Sequence, residues 1–373
     1  MIRLHLPLAK ALLSQDMRVT AIGVPMRATV ANREGEALYI EGLQYLPWAW
    51  HGRRLMDSVR AIPMIAHQLR ELNPGVVHVN AVSDLPLVAV SLRMARLTEI
   101  RPVVVAMSRN SLTWTSSRKA WMGAKLVTCF ADGFVALAGS HKQKMLDLGV
   151  KPEMLACIPN PCDARLVDMA GQRKPKVGGS AGRSFRITYV AALRRCKAQD
   201  VLVKAAAGVC QVHRQVRFDL IGSPWPGEEV FEKMLRGLID ELQLVSHIRL
   251  LGALPHEEVI GALIDADMVV FPTLAEMMPR AVIEAMMLGK PVIASAVDGI
   301  LDLIEDGKTG ILVKPGDVDG LSRALRRLIE NPSLASELAL AGQAHVREFC
   351  SPERVGRLFC QFYAHLMEAR GGG

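Results

Sequence analysis

Glu276 and Glu284 lie eight residues apart in Ala275-Glu276-Met277-Met278-Pro279-Arg280-Ala281-Val282-Ile283-Glu284-Ala285-Met286, a run that continues to Gly289-Lys290-Pro291. Carboxylates accept hydrogen bonds from hydroxyl groups, so two of them can grip a polyhydroxylated ligand. Catalytic carboxylate pairs of glycosidases flank a single bond at about 5–9.5 Å. A helix climbs about 7.5 Å between positions 279 and 284, which sets Glu284 well over a turn from Glu276. That separation suits opposite ends of one long ligand such as a nucleotide sugar, with Glu284 on a ribose diol and Glu276 and nearby backbone N–H groups on the sugar. The spacing equally fits two solvent-facing glutamates at a helix start, where the dipole favours negative charge.

The elements that must position these residues can be read on either side. Pro279 suits a first helical position, Gly289 a left-handed exit and Pro291 a stop, which predicts a helix over 279–288. Ahead of it, Met268-Val269-Val270-Phe271-Pro272-Thr273 is an unbroken apolar run, the pattern of a parallel strand buried on both faces. Glu276 therefore falls at the carboxyl end of a strand, where open α/β sheets bind ligands, beside a helix amino terminus suited to anions.

With these residues the chain resembles the retaining glycosyltransferases of family 4, whose E-x7-E motif matches Glu276 and Glu284. Tyr189-Val190-Ala191-Ala192-Leu193-Arg194-Arg195-Cys196-Lys197-Ala198-Gln199-Asp200-Val201-Leu202 is similar to that family's first C-terminal strand and diphosphate-binding loop. Ile158-Pro159-Asn160-Pro161-Cys162-Asp163 is similar to its interdomain I-P-N-G-x-D segment. The likeness covers residues 127–365 and is looser over 1–126. It implies an α/β GT-B fold, two Rossmann-like doubly wound parallel-sheet domains facing a central cleft. The domains are expected at 1–169 and 185–345, joined by a linker at 170–184, with 346–373 a C-terminal helix crossing back to the first domain. The resemblance further implies a catalytic role for Glu276, donor binding by Arg194, Lys197, Met277, Met278, Pro279 and Glu284, and no metal or cofactor. The implied reaction moves a sugar, with retention, from a UDP- or GDP-sugar to a glycan or lipid-linked acceptor in cell-surface polysaccharide biosynthesis.

The basic pair also has a physical warrant. A departing nucleotide diphosphate gains negative charge, and fixed cations on a loop after a strand end can meet it. Arg194 offers a planar fork and Lys197 a point charge, and their spacing of three lets both project from one loop or first helical turn. Arg195 is a third candidate, and a short basic loop without function has the same composition.

The chain departs from the family pattern at several places. Met277 and Pro161 stand where glycines are usual, and Met277 is expected to alter or narrow the donor-sugar pocket. Ser108 stands where many members carry a histidine, and Asp298-Gly299-Ile300-Leu301-Asp302 only partly keeps a downstream Gly-Gly-x-Pro-Glu stretch. At the start, Leu8-Ala9-Lys10-Ala11-Leu12-Leu13 reads as the first helix and Arg18-Val19-Thr20-Ala21-Ile22-Gly23 as the strand after it. The family's first strand and glycine-rich loop are thus expected to be missing, through a shortened start or a lost loop.

With 373 residues, 50% hydrophobic and 22% charged, the composition suits two α/β domains with substantial cores. No apolar run reaches the length of a membrane span, and no apolar core with a cleavage site marks a secretory signal, so a cytoplasmic location is expected. The seven cysteines include no C-x2-C pair and read as buried free thiols in a reducing compartment. Residues 170–184 are rich in Gly, Lys, Arg and Ser, as a mobile linker is. Beyond them, strands are predicted at 186–191, 216–221, 248–252, 268–272, 291–295 and 310–313, separated by crossover helices, with a last helix over 352–368.

Charge is unevenly shared. Residues 1–183 hold 24 Lys and Arg against 13 Asp and Glu, a net of +11, while residues 184–373 hold 21 against 24, a net of −3. Trp48 and Trp50 precede Arg53 and Arg54, and Trp114 and Trp121 sit among Arg109, Arg118, Lys119 and Lys125. This mixture suits an anionic surface at the inner face of a membrane, and equally a set of core tryptophans under a solvated basic face. No module for nucleic acid accompanies the charge. A P-loop is broken at Asp302, no G-x-G-x-x-G follows a strand, and the ten histidines show no metal spacing. The alternative class is a non-catalytic glycosyltransferase-like subunit that binds a partner enzyme or a membrane.

Overall fold

The computed structural model describes residues 8, 11–13, 15, 17–23, 38–40, 43–47, 55–79, 85–95, 102–108, 129–163, 165–166 and 184–371. The chain forms two compact units, Met1–Pro161 together with Pro352–Gly373, and Cys162–Ser351. The first expected domain boundary, after 169, therefore moves to 161, and the return expected at 346 moves to 352. One physical reason is local: the Cys162 N–H donates to the Cys350 carbonyl at 2.8 Å, tying both ends of the second unit together. Of the predicted linker only Ser184 lies within the described residues.

The first unit holds β1 (Thr20–Gly23), β2 (Leu38–Ile40), β3 (Leu43–Pro47), α1 (Leu55–Leu72), β4 (Val76–Val79), α2 (Leu85–Ala95), β5 (Val103–Ser108), β6 (Gly133–Ala136), α3 (Gly139–Asp147) and β7 (Leu155–Cys157). β4, β5, β6 and β7 form a parallel sheet in that order, and β1, β3 and β2 a smaller one. Residues 11–13 are helical and β1 follows, in keeping with the predicted helix and strand. The expected absence of an earlier strand concerns residues 1–7, outside the described ones. β5 opens on three valines, and its residues 103–107, like the Gly-Phe-Val-Ala of β6, are apolar and buried, as strands covered on both faces are.

The second unit alternates strand and helix up to its last two helices: β8 (Phe185–Val190), α4 (Gln199–Val212), β9 (Val216–Ile221), α5 (Glu229–Glu241), β10 (Ile248–Gly252), α6 (His256–Asp265), β11 (Met268–Phe271), α7 (Arg280–Met287), β12 (Val292–Ser295), α8 (Asp298–Leu301), β13 (Ile311–Val313), α9 (Val318–Glu330) and α10 (Pro332–Phe349). Its six strands are all parallel in the order β10-β9-β8-β11-β12-β13. Chain direction across the sheet thus reverses between β8 and β11, the switch point at which doubly wound folds open a crevice at the carboxyl ends of the strands.

Back in the first unit, α11 (Pro352–Gly371) extends three residues past the predicted end. Its Arg370 donates to the Pro102 carbonyl at 2.8 Å and pairs with Asp132 at 3.0 Å, while Tyr363 meets His78 Nδ1 at 2.7 Å. His78 is thus a structural histidine. Of the cysteines only Cys162, Cys210 and Cys350 are buried; Cys129 and Cys157 are exposed, which corrects the uniform burial expected of them. Among the described residues no helix is long and apolar enough to cross a membrane.

Candidate active site

Every sequence-predicted site residue falls in the second unit, on the loops after β8 and β11 or on α7, at the switch point. The β8 loop is built by local chemistry. Arg195–Lys197 form a single 3₁₀ turn, and Ala198 takes a left-handed φ of 51° to launch α4. Tyr189, buried in β8, donates its hydroxyl proton to the Lys197 carbonyl at 2.7 Å, and the Gln199 amide donates to the Ala192 carbonyl at 2.9 Å. Burial, then the negative charge of Glu276 and of Cys196, pushes the Tyr189 phenol well above its usual range, so it stays a donor.

The two loops are bonded to each other. The Cys196 carbonyl accepts from the Leu274 N–H at 2.9 Å and from the Thr273 hydroxyl at 2.9 Å. Above this tie the Lys197 ammonium forms an ion pair with the Glu276 carboxylate, and both side chains are about one-fifth exposed. The sequence reading assigned Lys197 to phosphate and Glu276 to sugar as separate tasks. Here they are direct neighbours. The other Glu276 oxygen accepts from the Met277 N–H at 3.2 Å.

Met277 and Met278 are buried, at 5% and 4% exposure, so the Met277 side chain belongs to the packed interior of this loop rather than standing free in a pocket. Pro279 is the residue before α7, with φ −72° and ψ 119°, rather than its first helical residue. The helix accordingly runs Arg280–Met287, inside the predicted 279–288, because the ψ of Pro279 is extended. Gly289 makes the expected left-handed exit at φ 65°.

Glu284 has different surroundings from Glu276. It is buried on α7, 3.9 Å from the Arg280 guanidinium and 4.0 Å from His256 Nε2. Burial pushes its carboxyl up to about 7; Arg280 opposes this and the Asp163 charge adds to it. A carboxyl poised there is costly to ionise without a ligand, the environment expected of a group reserved for binding hydroxyls. The Arg194 carbonyl accepts from the Lys197 N–H at 2.9 Å, but its side chain makes no hydrogen bond or ion pair among the described residues; its guanidinium lies 5.0 Å above the Trp225 ring. Arg195 is exposed and turns to Phe231, 5.8 Å away, so it does not join the pair. Ser108 ends β5 in the first unit. Trp48, Trp50, Trp114 and Trp121, with Arg118 and Lys119, lie outside the described residues. No group of His, Cys, Asp and Glu able to hold a metal occurs among the described residues.

Sequence reasoning missed His256, Trp225 and two glycines. Gly299 lies against the loop that carries Glu276: a Cβ there would fall 1.2 Å from the Met277 carbonyl oxygen. Gly222, at φ 150°, approaches the Ala191 carbonyl so closely that a Cβ would fall 1.9 Å from its oxygen. The signal for Gly299 was its survival in a stretch where the rest of the family pattern is altered. Gly299→Ala is expected to destabilise the second unit by at least about 2 kcal/mol, because rigid backbone must move on one side of the contact. Chemical denaturation measures it, and a midpoint within error of the wild type would show that the loop gives way freely.

Comparison with known proteins adds to this geometry. The pattern described as Glycosyltransferase Family 4 matches residues 6–166, and that of Glycosyl transferases group 1 matches residues 172–345. A D-inositol 3-phosphate glycosyltransferase of Catenulispora acidiphila is 25% identical over 255 residues, covering 67% of this chain and 61% of the relative. The chain therefore matches about three-fifths of that relative's length. A solved sucrose-phosphate synthase of Thermosynechococcus elongatus superimposes with a TM-score of 0.78 at 20% identity, over 97% of this chain and 92% of the other. Anabaena Alr3699/HepE, solved in complex with UDP and glucose, gives a TM-score of 0.72 at 20% identity, over 87% and 86%. These structural likenesses show the GT-B fold of two α/β domains.

Proposed function

Since the chain belongs to the group 1, family 4 glycosyltransferases, we propose that it is an enzyme that moves a sugar from a UDP- or GDP-sugar to a hydroxyl of a glycan or lipid-linked acceptor, with retention, in cell-surface polysaccharide synthesis. The observation that carries this reading is the Lys197–Glu276 pair at the switch point, on the loops that also carry Arg194, whose side chain meets no carboxylate among the described residues, and lead to the buried Glu284 on α7. Arg194 and Lys197 meet the donor diphosphate, and Glu284 accepts from the ribose hydroxyls. Glu276 addresses the sugar. The sugar–phosphate C–O bond breaks, the diphosphate departs with the electron pair and is stabilised by the two cations, and the acceptor oxygen bonds to the sugar as its proton passes to the departing phosphate oxygen. The solved relative bound to UDP and glucose supports the donor class. Retention is part of the proposal and rests on the resemblance to the family.

The reading is tested by thermal shift of the full chain with UDP, GDP, ADP and their sugars, followed by turnover of the stabilising donor. At least one diphosphate should raise the melting temperature. Failure of all of them, or stabilisation without turnover on any acceptor or water, would favour a non-catalytic subunit. Within the same site, Arg194→Ala and Lys197→Ala should each weaken a nucleoside diphosphate by about tenfold or more while leaving the nucleoside nearly unchanged, since only the former presents the charge they meet. Similar losses for both ligands in calorimetry would instead indicate damage to the fold.

Attachment at the inner face of a membrane belongs to the same proposal, supported by the net +11 of residues 1–183. Basic residues near an anionic surface contribute about 1 kcal/mol each, screened over about 8 Å at physiological salt. The protein should co-sediment with anionic vesicles at low salt and be released at high salt, less of it binding after Arg118→Ser and Lys119→Ser. Equal binding to neutral vesicles would refute electrostatic attachment.

A further inference from the structure

We propose that Trp225 is a positioning residue for the donor diphosphate, acting through Arg194; the inference rests on the transferase reading above. Strand pairing does not stop at the ends of β8 and β9. Past them the Leu193 N–H donates to the Ser223 carbonyl at 2.9 Å, and the Trp225 N–H returns to the Leu193 carbonyl at 3.1 Å. Leu193 and Pro224 form an isolated parallel bridge. This extension requires the close approach of Gly222 to Ala191. It fixes the backbone of Trp225 beside that of Arg194, and the indole then lies under the guanidinium at 5.0 Å.

The two predicted phosphate cations consequently differ. Lys197 is already neutralised by Glu276, so an arriving anion competes for it. Arg194 meets no carboxylate among the described residues: its only partner is the π face, and its Nε is buried without a hydrogen bond. A π face attracts the cation without consuming its N–H donors, which leaves the planar fork oriented and chemically free. Trp225 is itself 45% exposed, unusual for so large an apolar side chain beside a candidate site, and explicable if its use is to hold Arg194. An acidic partner would hold the fork as firmly but would occupy the donors that phosphate needs.

The test is calorimetric titration of the full-length protein with the preferred nucleoside diphosphate and with its nucleoside, for wild type, Trp225→Phe, Trp225→Leu, Arg194→Ala and the Arg194→Ala/Trp225→Leu double variant. Trp225→Leu is expected to weaken the diphosphate by about three- to tenfold, the range of a partly desolvated cation–π contact, and to leave the nucleoside unchanged. Trp225→Phe should retain most of the affinity. In the Arg194→Ala background the Trp225→Leu loss should vanish, which a purely structural role would not produce. A loss shared by the nucleoside, or one that persists without Arg194, would overturn the proposal. Absence of diphosphate binding by the wild type would overturn it together with the donor assignment, and the two failures are thus told apart.

Discussion

Glu284→Gln is expected to weaken nucleotide binding by about ten- to a hundredfold and at the same time to stabilise the protein at alkaline pH. The binding loss is the scale of hydrogen bonds to a charged acceptor, about 1.5–3 kcal/mol. The stability gain follows from burial, which raises the carboxyl from 4.5 to about 7 against the opposing pull of Arg280. Below about pH 4.5 the carboxyl is neutral in the folded and the unfolded chain alike, and its favourable neutral burial is fully present. As pH rises through about 7 the folded state must lose that proton, and up to about 3 kcal/mol is lost with it. Glutamine has no proton to lose. Thermal denaturation should therefore show the variant and wild type close together at pH 5 and the variant more stable at pH 8. A gap of equal size at both pH values would remove the titration argument, and unchanged nucleotide affinity would remove the ribose role.

Glu276→Gln should have the largest effect on rate. Loss of the carboxylate that addresses the sugar is expected to lower transfer by about 100- to 1,000-fold, the scale of removing one preorganised electrostatic contact. Affinity for the sugar-free diphosphate should hold or rise, because Lys197 is released from its ion pair and meets phosphate without competition. The opposite movements of rate and affinity distinguish this variant from Lys197→Ala, in which both fall. A parallel drop in diphosphate affinity would mean that Glu276 holds the loop together rather than serving the sugar.

The second unit was legible in sequence because buried parallel strands leave continuous apolar runs. The predicted 216–221 and 248–252 match β9 and β10 residue for residue, β8 lies one residue earlier than predicted at both ends, and β11, β12 and β13 are each one residue shorter at one end. Such ends are decided by hydrogen-bond register, which a hydrophobic pattern does not carry. The stretch carrying Glu276 and Glu284 was legible because Pro279 and Gly289 punctuate it locally. Contacts between distant positions were not: Lys197 meets Glu276 across 79 positions, and His256 meets Glu284 across 28. The burial of Glu284 did have a local signal, since its α7 neighbours Val282, Ile283, Ala285, Met286 and Met287 are all apolar and buried. Reading that helix as buried all round would have anticipated the raised carboxyl.

The bonds from Leu274 and Thr273 to the Cys196 carbonyl join the loops after β8 and β11, proposed to meet the diphosphate and the sugar, into one backbone unit. Changes in that unit disturb leaving group and sugar together, so it offers little freedom for acquiring a new donor. His256 opens α6 on the loop after β10, and Trp225 stands on the loop after β9, both outside that bonded pair. Residues 253–256, ending at His256 beside Glu284, can therefore vary without disturbing the bonded loops, whereas residues 222–227 hold Arg194 through Gly222 and Trp225 and are expected to stay fixed. On the proposed transferase reading, exchanging residues 253–256 between relatives is the conservative route to altered specificity.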